Sequence, residues 1–172
     1  MFNKKSVFMA VVALMALCSC EKINQTEQVP QLKGAWEWNN TAVGGVVGVI
    51  HADAEKSLVL IFEDDNKISV MYDGELMLSG ETYSCRKSGN SEYGDYVISM
   101  PEAVRKKVAE CLGGSENRVV VDGYIRFSKI YTNDETVYLL ITDTESQDQT
   151  GAEGCSNFHC NSAFAPTHTL FE

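Results

Sequence analysis

Three residues near the C-terminus have side chains and spacing that could do chemistry: Cys155, His159 and Cys160. With His168 or His51 as a fourth ligand, they could bind zinc, or a thiol and an imidazole could act as a nucleophile and its base. Zinc needs both cysteines reduced, and a catalytic thiol needs a lowered pKa and a group that orients the imidazole. Cysteines this close in an exported chain more often form a disulfide, so the pattern predicts neither a metal site nor a nucleophile.

Other motifs that could support catalysis or ion binding are incomplete. The acidic run Asp143–Asp148 lacks the glycine and the final glutamate of a calcium loop. The acids at 63–65 are expected at an exposed hairpin tip, and the glycines at 43–48 lack the strand-to-helix setting of a nucleotide loop. No set of acid, base, nucleophile and metal ligands converges, so we expect a protein that is not an enzyme and that has no cofactor.

The N-terminus is typical of an export signal. Lys4 and Lys5 precede an unbroken apolar run, Val7 to Leu17, that is too short to span a bilayer as a helix. The following residues, Leu-Cys-Ser-Cys at 17–20, resemble a bacterial lipobox. That resemblance implies cleavage before Cys20, acylation of Cys20, and a lipid bilayer as partner, because several acyl chains give stable anchoring. We therefore expect a signal peptide at 1–19, a lipidated cysteine with a flexible tether at 20–31, and one folded domain at 32–172.

Cysteine number supports an oxidising compartment. Once Cys20 is lipidated, the exported chain retains Cys85, Cys111, Cys155 and Cys160. An even number of cysteines in such a chain indicates two disulfides, with three possible connectivities. The pairs Cys155–Cys160 and Cys85–Cys111 are favoured weakly over the other two arrangements.

Charge excludes one class of partner. The chain has a formal net charge of −10, and the loss of two lysines with residues 1–19 brings it to −12. A surface this acidic repels phosphate backbones, so nucleic acid is a poor partner. We expect a monomer that contacts the membrane through lipid rather than through a basic patch.

The elements that must position these residues are mainly strands. Short runs rich in branched and aromatic residues alternate with turn signals, among them Asp73–Gly74, Asp122–Gly123 and the run Glu63–Lys67. One segment, Ser99–Gly114, instead has a helical apolar stripe, a Ser99–Glu102 capping-box spacing and terminal glycines. The sequence predicts an antiparallel up-and-down β-barrel, closed or nearly closed, with one α-helix packed on or across it; a sandwich is the alternative.

Three stretches carry a further resemblance: LKGAWEW at 32–38, LIFEDDNKISVMYDG at 60–74 and SGETYS at 79–84. Together they resemble lipocalin-like lipoproteins of the Bacteroidetes envelope over residues 32–142. The resemblance implies a barrel whose first strand bends at Gly34 and whose floor is closed by Trp36. The helix precedes the last strands rather than following them, and the arginine expected against the tryptophan could be Arg118 or Arg126.

Two functions follow as expectations. In the first, the barrel forms a cup for a small apolar ligand, lined by Trp36, Leu60, Val70 and Leu139. In the second, the barrel is filled and acts as an interaction or inhibitor module of the envelope, which contacts another protein through its loops and a C-terminal strap that presents Phe158 and His159. With either function, the lipobox implies a protein of the outer membrane. Glu21 and Lys22 follow Cys20 without a run of acidic residues, which slightly favours the periplasmic face of that membrane.

Overall fold

A computed structural model of the chain describes residues 26–43, 48–52, 55–89, 92, 94–113, 119–130, 135–143 and 160–167. Cys20, Cys155, Phe158 and His159 lie outside these residues. The described part contains one α-helix, α1 (Glu102–Cys111), and short 3₁₀ helices at Pro30–Leu32 and Asp64–Asn66. The strands are β1 (Gly34–Val43), β2 (Gly48–His51), β3 (Leu58–Phe62), β4 (Lys67–Tyr72), β5 (Glu75–Thr82), β6 (Ser84–Lys87), β7 (Tyr96–Ser99), β8 (Gly123–Ser128), β9 (Tyr138–Thr142) and β10 (Cys160–Thr167).

The strands form one antiparallel sheet in which most strands pair with a neighbour in sequence. The order is β5-β4-β3-β1-β10-β9-β8-β7-β6, and β2 pairs with β1 beside β3. The first and last strands pair with each other, as in an up-and-down barrel. The two ends of this order, β5 and β6, are separated in sequence by Tyr83 alone. The sheet is curled into a half-barrel, which confirms the predicted fold class.

The C-terminal segment differs from the strap that the sequence suggested. Its described part is β10, which lies between β1 and β9 and supplies the buried Phe164 to the core. A proline such as Pro166 is disfavoured in a central strand, because it has no backbone N–H to donate. However, the pairing of β10 with β9 already ends at Phe164. Pro166 therefore sits where only β1 pairs with the strand.

The helix is present, but it begins differently from the prediction. Ser99 belongs to β7 and pairs with Ser84, so the capping box is wrong and Pro101 is the N-cap residue. Asp122 takes the place of a side-chain cap near this terminus: its carboxylate accepts the Met100 backbone N–H and pairs with Arg105 at 2.7 Å. The predicted stripe is confirmed, since Val104 and Val108 are buried in the core and α1 contacts β4 and β5.

Of the two Asp-Gly turns that the sequence predicted, one is confirmed. Asp73 and Gly74 both have positive φ (52° and 79°) between β4 and β5, as a type I′ turn requires. Asp122–Gly123 is not a hairpin turn. Gly123 begins β8 with φ 134°, and a Cβ there would lie 1.9 Å from the Thr142 carbonyl oxygen, so this glycine permits a close approach of two strands.

Candidate functional site

The residues expected to line an apolar cup pack against one another. Trp36 pairs with Leu60, and Leu60 pairs with Val70, so these side chains are neighbours across three strands. Trp36 is 7% exposed, and Leu60, Val70 and Leu139 are each 0% exposed. All four belong to one hydrophobic core. Gly34 begins β1 with φ 131°, consistent with its expected role at a bend.

The polar atoms of the two tryptophans are used inside this core. The Trp36 indole N–H donates to the Leu32 carbonyl at 2.8 Å. The Trp38 indole N–H donates to the Thr41 hydroxyl at 3.1 Å, and that hydroxyl lies 2.7 Å from the Ser162 hydroxyl. Ser162 also accepts the Val120 backbone N–H at 2.7 Å. These bonds fix the seam where β1 meets β10, because every polar atom in the chain of contacts has a partner.

Two arginines were considered as the expected neighbour of Trp36. Arg118 lies outside the described residues, and Arg126 is exposed and donates to the Glu92 carbonyl. The neighbour of the Trp36 ring is instead Phe127, at a centroid distance of 5.8 Å.

Cys85 and Cys111 are free thiols, so the predicted Cys85–Cys111 disulfide is not formed. Cys85 lies on β6, whereas the helix that ends at Cys111 contacts β4 and β5. Burial, and secondarily the charge of Glu27, raise the pKa of Cys85 to about 11, and burial raises the pKa of Cys111. Both thiols are therefore poor nucleophiles at neutral pH. The Cys155–Cys160 pairing stays a prediction, since Cys155 is outside the described residues.

A concave site that the sequence did not reveal lies outside the barrel, where β1 changes partner. Residues 34–37 of β1 pair with β3 and residues 40–43 pair with β2, with a bulge between Trp38 and Asn40. The Ala52 N–H donates to the Asn39 carbonyl at 2.9 Å, and the next strand, β3, begins at Leu58. Bulges interrupt regular pairing and are over-represented next to functional sites.

This outer pocket has a volume of about 610 Å³, within the range of small-ligand sites. Its lining combines three carboxylates with one ammonium group and one imidazole, and it includes Glu37 from β1 and Asp73 from the β4–β5 turn. With a neutral imidazole, the formal charge of these groups is negative, so a group with positive charge is favoured over an anion. The ionisable lining residues are Glu37, His51, Glu55, Lys56 and Asp73.

Sequence reasoning missed this pocket because its residues are scattered over four segments. The available signal was the polar stretch at 51–57 between two apolar runs, which marks an interruption of a strand rather than a motif. Among the described residues, no group of three or more His, Cys, Asp and Glu side chains is arranged to hold a metal ion. No helix in the described ranges is long and apolar enough to cross a bilayer.

No known protein family, curated protein or solved structure matches this chain.

Proposed function

We propose that this protein is a non-enzymatic binding module of the bacterial cell envelope. Residues 1–19 export it, acylated Cys20 anchors it to the outer membrane, and a filled lipocalin-like barrel serves as a rigid scaffold. The binding site is the outer pocket, and its ligand is a polar group with positive charge, presented by a partner protein or a small molecule. This is the interaction function expected from the sequence, with the pocket in place of the C-terminal loop as the contact surface.

The packing of the four expected cup residues is the observation that carries this proposal. An apolar ligand of ordinary size needs a cavity of about 300 Å³ or more. Trp36, Leu60, Val70 and Leu139 instead lie in one continuous core. The Trp36 indole is also held by a hydrogen bond to Leu32, so displacing it would leave a buried donor unpaired. The expected apolar-cup function would require this core to open.

The charge of the pocket and of the whole chain supports a cationic group as ligand. The pocket groups contain more carboxylates than cations, and the chain carries a formal net charge of −10. Charges of one sign raise the local concentration of oppositely charged partners and speed their association. The effect weakens as salt rises, because the Debye length shortens.

The test compares ligand binding by the barrel interior with ligand binding by the outer pocket. It uses the mature chain, purified from the envelope without a reducing agent. Native mass spectrometry identifies any bound molecule, and titration with an apolar fluorescent fatty acid reports on the interior. We expect a polar, positively charged co-purifying species or partner whose retention falls in Glu37→Gln. The matched control is Glu75→Gln, which removes an exposed carboxylate outside the pocket lining.

The opposite result would be stoichiometric uptake of the fatty acid. If Trp36→Ala weakened that uptake by more than its effect on folding explains, the protein would have an apolar cup and the proposal would be wrong. If Glu37→Gln retained the polar species at the wild-type level, the outer pocket would not be the binding site of that species.

A further inference from the structure

The outer face of the sheet carries a row of side chains that begins in the outer pocket. Glu37, which lines the pocket, pairs with Val59 of β3. Val59 pairs in turn with Met71 of β4, and Met71 pairs with Leu76 of β5. Residues that are paired directly across neighbouring strands lie on the same face of a sheet. These four residues therefore form one line across four strands, which we call the outer row.

The neighbours of these residues along the strands show that the outer row points away from the core. Glu37 lies between Trp36 and Trp38, and Met71 follows Val70; these three flanking residues all belong to the hydrophobic core. Successive side chains of a strand point to opposite faces of the sheet. The buried stripe of α1 belongs to the same core, so the helix packs on the other face of the sheet.

The end of the outer row that lies farthest from the pocket is apolar and exposed. Leu76 is 60% exposed, and its partner Met71 is partly exposed. Val70 pairs with Leu78 whereas Met71 pairs with Leu76, so Met77 is the extra residue of a β-bulge, and it is 38% exposed. Exposed apolar residues are ordinary when they are single, but adjacent ones with a polar border favour an interaction site. We call Met71, Leu76 and Met77 the apolar end.

The pocket and the apolar end are close enough for one ligand to contact both. The β4–β5 turn supplies Asp73 to the pocket, and Leu76 follows three residues later. Neighbouring strands lie about 4.8 Å apart, so the three spacings from Glu37 to Leu76 measure about 14 Å along the sheet. About four residues of extended chain cover that distance. Val59 is buried in the middle of the row, so the contacts would be made at its two ends.

Charge determines which kind of ligand fits this surface. The pocket groups contain more carboxylates than cations, and the chain has a formal net charge of −10. A second copy of the chain or an anionic lipid surface would therefore bring like charges together, which is unfavourable. A polypeptide with a basic side chain beside an apolar one complements both ends of the row. Methionine and leucine suit such a contact, because flexible apolar side chains adapt to different partners.

We propose that the outer pocket and the apolar end together bind one extended segment of another protein. A lysine or arginine side chain of that segment enters the pocket, and an apolar side chain within about four residues of it packs on Leu76 and Met77. This inference rests on the proposed function, since it assigns the positively charged ligand of the pocket to a partner protein.

The experiment selects peptides from a phage-displayed library of random dodecamers. The target is the mature chain, purified from the envelope and held in vesicles of uncharged phosphatidylcholine; phage that bind empty vesicles are removed first. We expect the enriched peptides to share a lysine or arginine within about four residues of a leucine, isoleucine, methionine or phenylalanine. A selection that enriches no peptide, or enriches peptides without this pair, overturns the inference.

Two substitutions then test the two ends separately, with the most enriched peptide as the probe and calorimetric titration as the measurement. Leu76→Ser should raise the Kd about tenfold without changing its dependence on salt, because the apolar end carries no charge. Glu37→Gln should raise the Kd by a similar factor and weaken the dependence on salt. The matched control is Val137→Ser, at an apolar residue that is 42% exposed and lies outside the outer row; its Kd should stay within about twofold of the wild type.

A further variant separates loss of contact from loss of fold. Leu76→Met keeps an apolar side chain and should bind the peptide as the wild type does. Urea denaturation should give the same midpoint for Leu76→Ser and the wild type, because Leu76 is mostly exposed. If Leu76→Met bound as weakly as Leu76→Ser, an apolar contact would not explain the loss, and the inference would be wrong.

The outcomes also distinguish this inference from the proposed function. If Glu37→Gln weakens binding and Leu76→Ser does not, the pocket is the site but the apolar end is not part of it, so the inference alone is wrong. If Glu37→Gln binds the peptide as the wild type does, the pocket is not the site and both fail. A dimer in native mass spectrometry that Leu76→Ser separates would identify a second copy as the occupant and overturn the inference. Flotation of Cys20→Ser with anionic vesicles that is lost in Cys20→Ser with Leu76→Ser would identify a bilayer and overturn it too.

Discussion

The interior of the half-barrel and its outer pocket are built from the same strand in opposite ways. Inside, Trp36 and Trp38 lie on β1 in regular register with their partners, and their polar atoms are bonded to the protein. Outside, the pocket exists because that register breaks after Trp38 and β1 changes partner. Along β1, regular pairing therefore accompanies packing, and the break in pairing accompanies a concave, polar surface. Substitutions should accordingly affect stability inside and binding outside.

The largest effect is expected from the centre of the core. Phe164 on β10 is fully buried and pairs with Trp38 and Leu139. Phe164→Ala should lower the free energy of unfolding by about 3–5 kcal/mol, because it leaves a cavity where β1, β9 and β10 meet. Urea denaturation measures the loss. Val49→Ala on an exposed part of β2 should stay within about 0.5 kcal/mol, and equal losses would show that the interior is not packed.

The next largest effect is expected from the buried hydrogen bonds. Thr41→Val keeps the shape of the side chain but removes the acceptor of the Trp38 indole and a partner of Ser162. We expect a loss of about 1–3 kcal/mol, because buried donors without partners are costly. Thr41→Ser retains the hydroxyl and should lose less. If both variants unfolded at the same urea concentration, the hydroxyl would contribute nothing to the seam.

The regular part of this molecule was predictable from sequence, and the irregular part was not. The apolar alternation in β4 and the Asp73–Gly74 turn identified a hairpin that the structure confirms, because both depend on local geometry. The role of Asp122 was not predicted. An Asp-Gly pair has the same local preference whether it forms a turn or, as here, its carboxylate accepts a backbone N–H beside the N-terminus of a helix from another segment.

Long-range pairing explains the other differences. β10 contains small residues and Pro166, so nothing in its pattern predicts that it closes the sheet against β1. The pocket depends on where β1 exchanges one partner for another, which no single segment encodes. The four expected cup residues were correctly placed inside, but periodicity cannot distinguish an interior filled by side chains from one that holds a ligand.

A smaller effect, which appears only in alkali, tests the corner between β5 and β6. Burial raises the pKa of Tyr83 from 10.0 to about 12 and that of Cys85 from 9.0 to about 11. The folded state favours the neutral forms, so stability is intact below pH 9, falls as the unfolded groups ionise, and levels off only above about pH 11–12. Each group contributes a slope of at most about 1.4 kcal/mol per pH unit. Urea denaturation under reducing conditions should show a shallower decline for Tyr83→Phe and for Cys85→Ala than for the wild type.

The smallest effect on stability is expected in the outer pocket. Asp73 is exposed, lines the pocket and has φ 52° in its turn. Asparagine tolerates this conformation, so Asp73→Asn removes a charge and should change the free energy of unfolding by no more than about 0.5 kcal/mol. Asp73→Val should cost more, because a branched Cβ is strained at positive φ. If Asp73→Asn destabilised the protein as much as Asp73→Val, the carboxylate would be part of the fold, and the contrast between a packing interior and a binding exterior would fail at this turn.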